Sequence, residues 1–265
     1  MNIVKREMKA NAKALIFWCI GVLVMVGAGM GKYAGMNGNG DTINELMSEM
    51  PASLQAIMGT ASFDLSTAVG FYGLLYVYLI VMATIHAVML GSNMIAKEER
   101  DKTAEFLLVK PISRSTVISM KMVSALVQLL VFNLVTLVSS IIIVERYAGV
   151  DETTGTIYLL MIGMFLLQVL FLIMGTAIAV FSNNATKASA VATAILLLLF
   201  ILSILINLSG NPDLLKYVTP FKYFEAESII NHHQLEPFYV SLTGILIIAL
   251  TTISYIYYQK KDLNL

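Results

Sequence analysis

Few residues of this 265-residue chain are both reactive in type and placed where they could act together. His86 stands alone in a stretch from Leu65 to Ala96 that holds no Asp, Glu, Lys or Arg. An ionisable group in such a setting is expensive and is a functional candidate by default. It could relay a proton, or stay neutral and hydrogen-bond a neighbouring helix alongside Thr84, Ser92 or Asn93. His232 and His233 lie near Glu225, Glu227 and Glu236, a composition that suggests a metal. Adjacent histidines diverge on a helix, however, and no His-Glu-x-x-His spacing is present, so a solvated loop is the simpler reading and no metal site is expected. Gly27–Lys32 reads Gly-Ala-Gly-Met-Gly-Lys and mimics a phosphate loop, yet Val26 stands five before Gly31 and Tyr33 follows the lysine where Ser or Thr is needed. The chain is therefore not expected to hydrolyse ATP itself. Gly27, Gly31 and Gly35, and Gly175 with Ala179, read better as surfaces for close helix packing. No Ser/His/Asp set or paired carboxylate falls inside an apolar stretch, so no catalytic residue is assigned and the chain is not read as an enzyme.

The elements that must carry these residues follow from composition. Apolar residues make up 58% of the chain and charged residues 13%, against roughly half and a quarter in a soluble domain. The single cysteine, Cys19, excludes a disulfide scaffold, and 17 basic against 17 acidic residues give no footprint for nucleic acid. What remains is an all-α, polytopic membrane protein in contact with the lipid bilayer. A crossing needs about 20 mostly apolar residues. Six stretches qualify, at about 14–31, 69–94, 122–144, 157–181, 188–208 and 238–258, and they make one transmembrane domain of residues 1–265. The first run is longer than a signal-peptide core and lacks a clean cleavage site, so it reads as retained. With the N-terminus inside, 13 of the 17 basic residues and six of the 17 acidic ones lie on the cytoplasmic side. The positive-inside rule then places both termini in the cytoplasm.

The segments between the spans have their own patterns. Val4, Met8 and Ala12 form one stripe and Lys5, Lys9 and Lys13 the next, which suits an amphipathic interfacial helix or a solvated basic tail. In the outer loop 32–68, Thr42 and Glu45 have capping-box spacing, and Ile43, Leu46, Met47 and Met50 share a face. Pro51 ends that helix and opens another bearing Leu54, Ile57 and Met58. These two short helices could cap the bundle or shape an exit. Between 97 and 121 a charged helix is expected over about 97–110, with Glu98 and Lys102 in the favourable i,i+4 order, a stop at Pro111 and a cap at Ser113. Such a helix is either a docking surface for a soluble partner or a solvated linker. The loop 209–237 alternates aromatics with charges around Pro212 and Pro220, and suits re-entry towards the bilayer or packing on helix ends.

In this same 97–121 segment, Glu98, Glu99, Arg100, Thr103, Glu105, Leu107, Leu108, Pro111, Ser113 and Arg114 resemble the permease subunits of ABC-2 type transporters. That family typically shows a Thr-x-Glu-x-Leu-Leu stretch running into Pro-x-Ser-Arg after its second span, often with Gly where this chain has Lys102. Thr219-Pro220-Phe221-Lys222-Tyr223-Phe224 before the last span and Lys260-Lys261-Asp262-Leu263 at the C-terminus extend the likeness.

The resemblance implies the membrane half of an ATP-driven exporter in a bacterial plasma membrane. A second permease copy or a paralogue would complete the pathway. A separate cytoplasmic ABC ATPase, holding the ATP and Mg, would dock on a coupling helix at 97–110 bearing Glu98, Glu99, Arg100, Lys102, Thr103, Glu105, Phe106, Leu107, Pro111 and Arg114. No cofactor is expected on this chain. The family also implies re-entrant outer helices between spans five and six, which makes Pro220, Phe221, Tyr223 and Phe224, with His86, candidates for the pathway or its gate. The alternative is a secondary transporter driven by an ion gradient through His86, although no inverted internal repeat supports it. A metal-dependent enzyme on His232 and His233 is the third and weakest reading.

Overall fold

The computed structural model describes residues 2–36, 45, 48–51, 54–55, 63–102, 113–148, 150–182, 184–209 and 215–260. Six long helices account for most of them: α1 (Asn2–Met36), α2 (Ala68–Arg100), α3 (Arg114–Ala148), α4 (Val150–Phe181), α5 (Ala185–Ser209) and, last in the chain, α7 (Pro237–Lys260). Between α5 and α7 lie two single 3-10 turns, Leu215–Tyr217 and Pro220–Lys222, and the short helix α6 (Ala226–His232). No strand occurs among the described residues. In hydrocarbon a backbone must satisfy its own polar groups, and helices do so within one segment. Hence even runs rich in Val, Ile and aromatic residues are helical here.

All six long helices are long and apolar enough to cross a membrane. At 1.5 Å per residue, a 33-residue helix such as α2 measures about 50 Å, well beyond the roughly 30 Å of hydrocarbon. The overhang carries the charged turns. Apolar side chains also cover the outside of the bundle, among them Phe17, Ile142, Leu198, Ile245 and Ile248, each more than half exposed. A monomer in water would not tolerate such a continuous apolar coat; lipid covers it. The chain is a multi-pass membrane protein.

Helix ends follow from local chemistry. Thr67 caps α2, its Oγ1 accepting from the Gly70 amide at 3.0 Å. Ser113 caps α3 as expected, accepting from the Thr116 amide at 3.2 Å. The Asn184 side chain accepts from the Thr186 and Lys187 amides at the start of α5. Pro237, lacking a donor, opens α7.

The tightest crossing is between α2 and α4. A Cβ built on Gly91 would lie 2.1 Å from the Leu172 carbonyl oxygen, and one on Gly175 2.3 Å from that of Val88. The two backbones therefore touch, as expected for Gly175, and Ala179 is buried one turn further on. The other glycine stripe behaves differently. Nothing described lies within 4 Å of a Cβ built on Gly27, Gly31 or Gly35. α1 packs instead through Val22, Val26, Met30 and Tyr33, which are all buried, so among the described residues these glycines are not a packing surface.

Two further expectations change in form. Residues 4–13 are the opening turns of α1, continuous with the first span, because no proline or glycine interrupts the helix before Gly21. The expected charged helix over 97–110 begins as the last turn of α2: Asp101 is its C-cap and Lys102 has φ 53°, which breaks the helix. Residues 103–112, and with them Thr103, Glu105, Phe106, Leu107 and Pro111, lie outside the described residues. So do Thr42, Ile43 and Ile57; nearby, the Glu49 amide donates to the Glu45 carbonyl at 3.1 Å, a helical bond.

Candidate functional site

Charge gathers at the end of the bundle where α1 begins and α7 finishes, here the proximal end. α2 descends to this end and α3 rises from it, so residues 98 and 121 meet although 23 positions separate them. Lys121 Nζ donates to Glu98 Oε2 and, at 2.5 Å, to the Met94 carbonyl. The Lys121 side chain is fully enclosed and that of Glu98 is 11% exposed. Arg6 of α1 reaches the second carboxylate oxygen of Glu98 at 3.4 Å and its neighbour Glu7 at 3.1 Å. Glu7 is buried, and its Oε2 has no partner among the described residues. One ionic junction thus ties α1, α2 and α3 together beside the segment that leaves Arg100.

The other flank of that segment is tied as well. Arg114 Nη1 donates to the Gln259 carbonyl at 3.2 Å, and Gln259 Nε2 to Ser115 Oγ at 2.8 Å. Ser119 Oγ and the Tyr255 hydroxyl lie 2.8 Å apart. The two flanks are thus each tied to other helices, α2 to α1 and α3 through Glu98, and α3 to α7 through Arg114. Of the residues expected to couple, Glu98 is buried structure, whereas Arg100 and Lys102 are exposed and Glu99 is partly so. Arg100 pairs with Asp101 at 3.1 Å.

At the distal end the 215–232 segment folds onto the helix ends. Thr219 Oγ1 donates to the Leu199 carbonyl at 2.8 Å, and the Tyr223 hydroxyl to the Tyr217 carbonyl at 2.6 Å. Phe221 packs between Phe171 and Phe200, with centroids 5.2 and 5.3 Å away, and Tyr223 stacks on Tyr239 at 5.2 Å. Pro220, Phe221, Tyr223 and Phe224 are all buried. Of these, Phe221 and Phe224 line a cleft of about 90 Å³ shared with Tyr76 and Phe200, with Asn207, Glu225 and Glu227 among its polar lining. Lys222 bonds Asn207 and, at 2.6 Å, Glu225. Burial raises the Glu225 carboxyl above the usual carboxylate range, while Lys222 pulls it back and Glu227 adds to the rise.

His86 is elsewhere. It lies between Trp18 of α1 and Phe132 of α3, at 5.5 and 5.1 Å between ring centroids, and its Nδ1 has no partner among the described residues. His232 and His233 are exposed, and no group of three or more His, Cys, Asp or Glu that could hold a metal occurs among the described residues.

A family model described as ABC-2 family transporter protein matches residues 1–263, almost the whole chain. The chain belongs to that family. It is a permease of an ABC transporter, and membership agrees with its six long apolar helices. No curated protein matches this ABC-2 family member. The family's frequent Gly at the position of Lys102 now has a physical reason. Lys102 is left-handed, a conformation glycine adopts without strain and a lysine does not. Sequence reasoning missed Lys121, Arg6 and Glu7 as members of a junction. Their only signal was charge beside a span, which topology already explained.

Proposed function

We propose that this permease is the membrane half of an ATP-driven exporter in a bacterial plasma membrane, with both termini in the cytoplasm. Two copies, or one copy and a paralogue, form the pathway. A separate cytoplasmic ATPase binds ATP and Mg and docks on the segment that follows Arg100. The basic face of Lys5, Lys9 and Lys13 lies against the inner leaflet beside it. Closure of the ATPase pushes the docking segment, and the push passes through Glu98 to Arg6 and Lys121 and through Arg114 to Gln259. α1, α2, α3 and α7 then move as one body, which opens the distal cleft outward.

The observation that carries this reading is the buried Glu98–Lys121 contact at the root of the docking segment, joined by Arg6 to a third helix. Docking is tested with a Cys19→Ser background, which has no other cysteine, bearing Lys102→Cys. Co-expressed with its ATPase and treated with a short bifunctional reagent, the protein should cross-link to the ATPase through residue 102. Ser228→Cys, at the distal end, should not. Equal labelling at both positions, or none at residue 102, would contradict the docking assignment.

A further inference from the structure

The distal cleft has a definite chemistry. Its lining brings the rings of Tyr76, Phe200, Phe221 and Phe224, among aliphatic neighbours, together with the carboxylates of Glu225 and Glu227. Tyr76 and Phe221 are held in place, the first by its hydroxyl bond to the Leu160 carbonyl at 2.9 Å and the second between two other rings. Lys222 compensates Glu225 directly. Glu227 is exposed and makes no ion pair among the described residues, so Lys222, Glu225 and Glu227 together leave one negative charge at the mouth. Aromatic faces present negative charge to a ligand and bind weakly hydrated cations, quaternary ammonium above all. An ordinary ammonium or a metal ion would have to shed more water than Ser203, Asn207 and the two carboxylates replace in a lining that is otherwise apolar. An anion would meet both the ring quadrupoles and the net negative mouth. The cleft, of about 90 Å³, has room for a compact alkylated ammonium head.

We propose that this cleft binds the alkylated ammonium head of a cargo or lipid, with the methyl groups against Phe200, Phe221 and Phe224 and the charge facing Glu227. That such a ligand is cargo rests on the exporter reading; that it binds does not. The test is equilibrium dialysis of radiolabelled choline against the whole protein in dodecyl maltoside, free of choline lipids. Saturable binding of one choline per chain is expected, with 3,3-dimethylbutanol, its neutral isostere, failing to displace it. Glu227→Gln, an exposed change, should weaken binding about tenfold, the worth of one charge contact of about 1.4 kcal/mol. Phe200→Leu should weaken it comparably. Lysophosphatidylcholine displacing choline at much lower concentration identifies a lipid headgroup; equal or weaker displacement identifies a free cation, and either supports the site. No saturable binding of choline or lysophosphatidylcholine by correctly folded protein, displacement by the neutral isostere, or unchanged binding in Glu227→Gln would overturn the proposal. None of these measurements involves the ATPase, so failure here leaves the exporter reading standing.

Discussion

Glu98 and Lys121 face each other across the α2–α3 contact, carboxylate to ammonium, and the lysine side chain has no exposure at all. Burying a charge pair in a bundle that already faces lipid is costly, and an apolar pair of similar size would serve stability as well or better. Its position gives it a use. Glu98 is the last buried residue of α2 before the docking segment, and Lys121 lies about two turns into α3 after it.

Removing one partner should therefore hurt more than removing both. Lys121→Met leaves the buried Glu98 carboxylate only the exposed Arg6, at 3.4 Å, and should cost up to about 3 kcal/mol. Combined with Glu98→Met it should recover much of that loss. Thermal unfolding of the purified protein in detergent measures the order. If the double variant is stable but no longer couples ATP use to transport, the pair serves coupling and not folding.

The α2–α4 crossing should be the least tolerant place in the membrane. Gly91→Val puts side-chain atoms where the Leu172 carbonyl lies and must force the helix backbones apart, a change that exceeds the usual cost of overpacking, about 1–3 kcal/mol. Gly27→Val, on an open face of α1, should leave the monomer's melting temperature within about a degree of wild type. Paired unfolding curves decide both.

Lys102 offers a change in the other direction. Its φ of 53° costs a lysine energy that glycine does not pay, so Lys102→Gly should stabilise the protein or leave it unchanged, within about 1 kcal/mol. Lys102→Val, β-branched, should destabilise the turn and loosen the docking segment. Limited proteolysis between residues 100 and 114 reads the loosening.

Much of this architecture is legible in the chain itself. Six apolar runs of the right length show the crossings, Ser113 marks the start of α3, and Gly175 with Ala179 marks a close contact. Each of these signals is local. Lys121 was not legible as a junction residue, because a lysine beside a span looks like a topology marker until Glu98 is brought to it from another helix. The glycines of α1 follow the same spacing as Gly175, yet which face a helix turns inward depends on its neighbours. The cleft likewise draws Tyr76, Asn207 and Phe224 from three separate elements, so no spacing in sequence announces it.

Whether a separate ATPase drives this chain is read most directly by mild-detergent purification from its native membrane followed by mass spectrometry. A stoichiometric soluble P-loop ATPase bound to a pair of permease chains is expected, and the mass of the complex states whether the pair is identical. Absence of any such ATPase, even after cross-linking in the membrane, would contradict an ATP-driven permease.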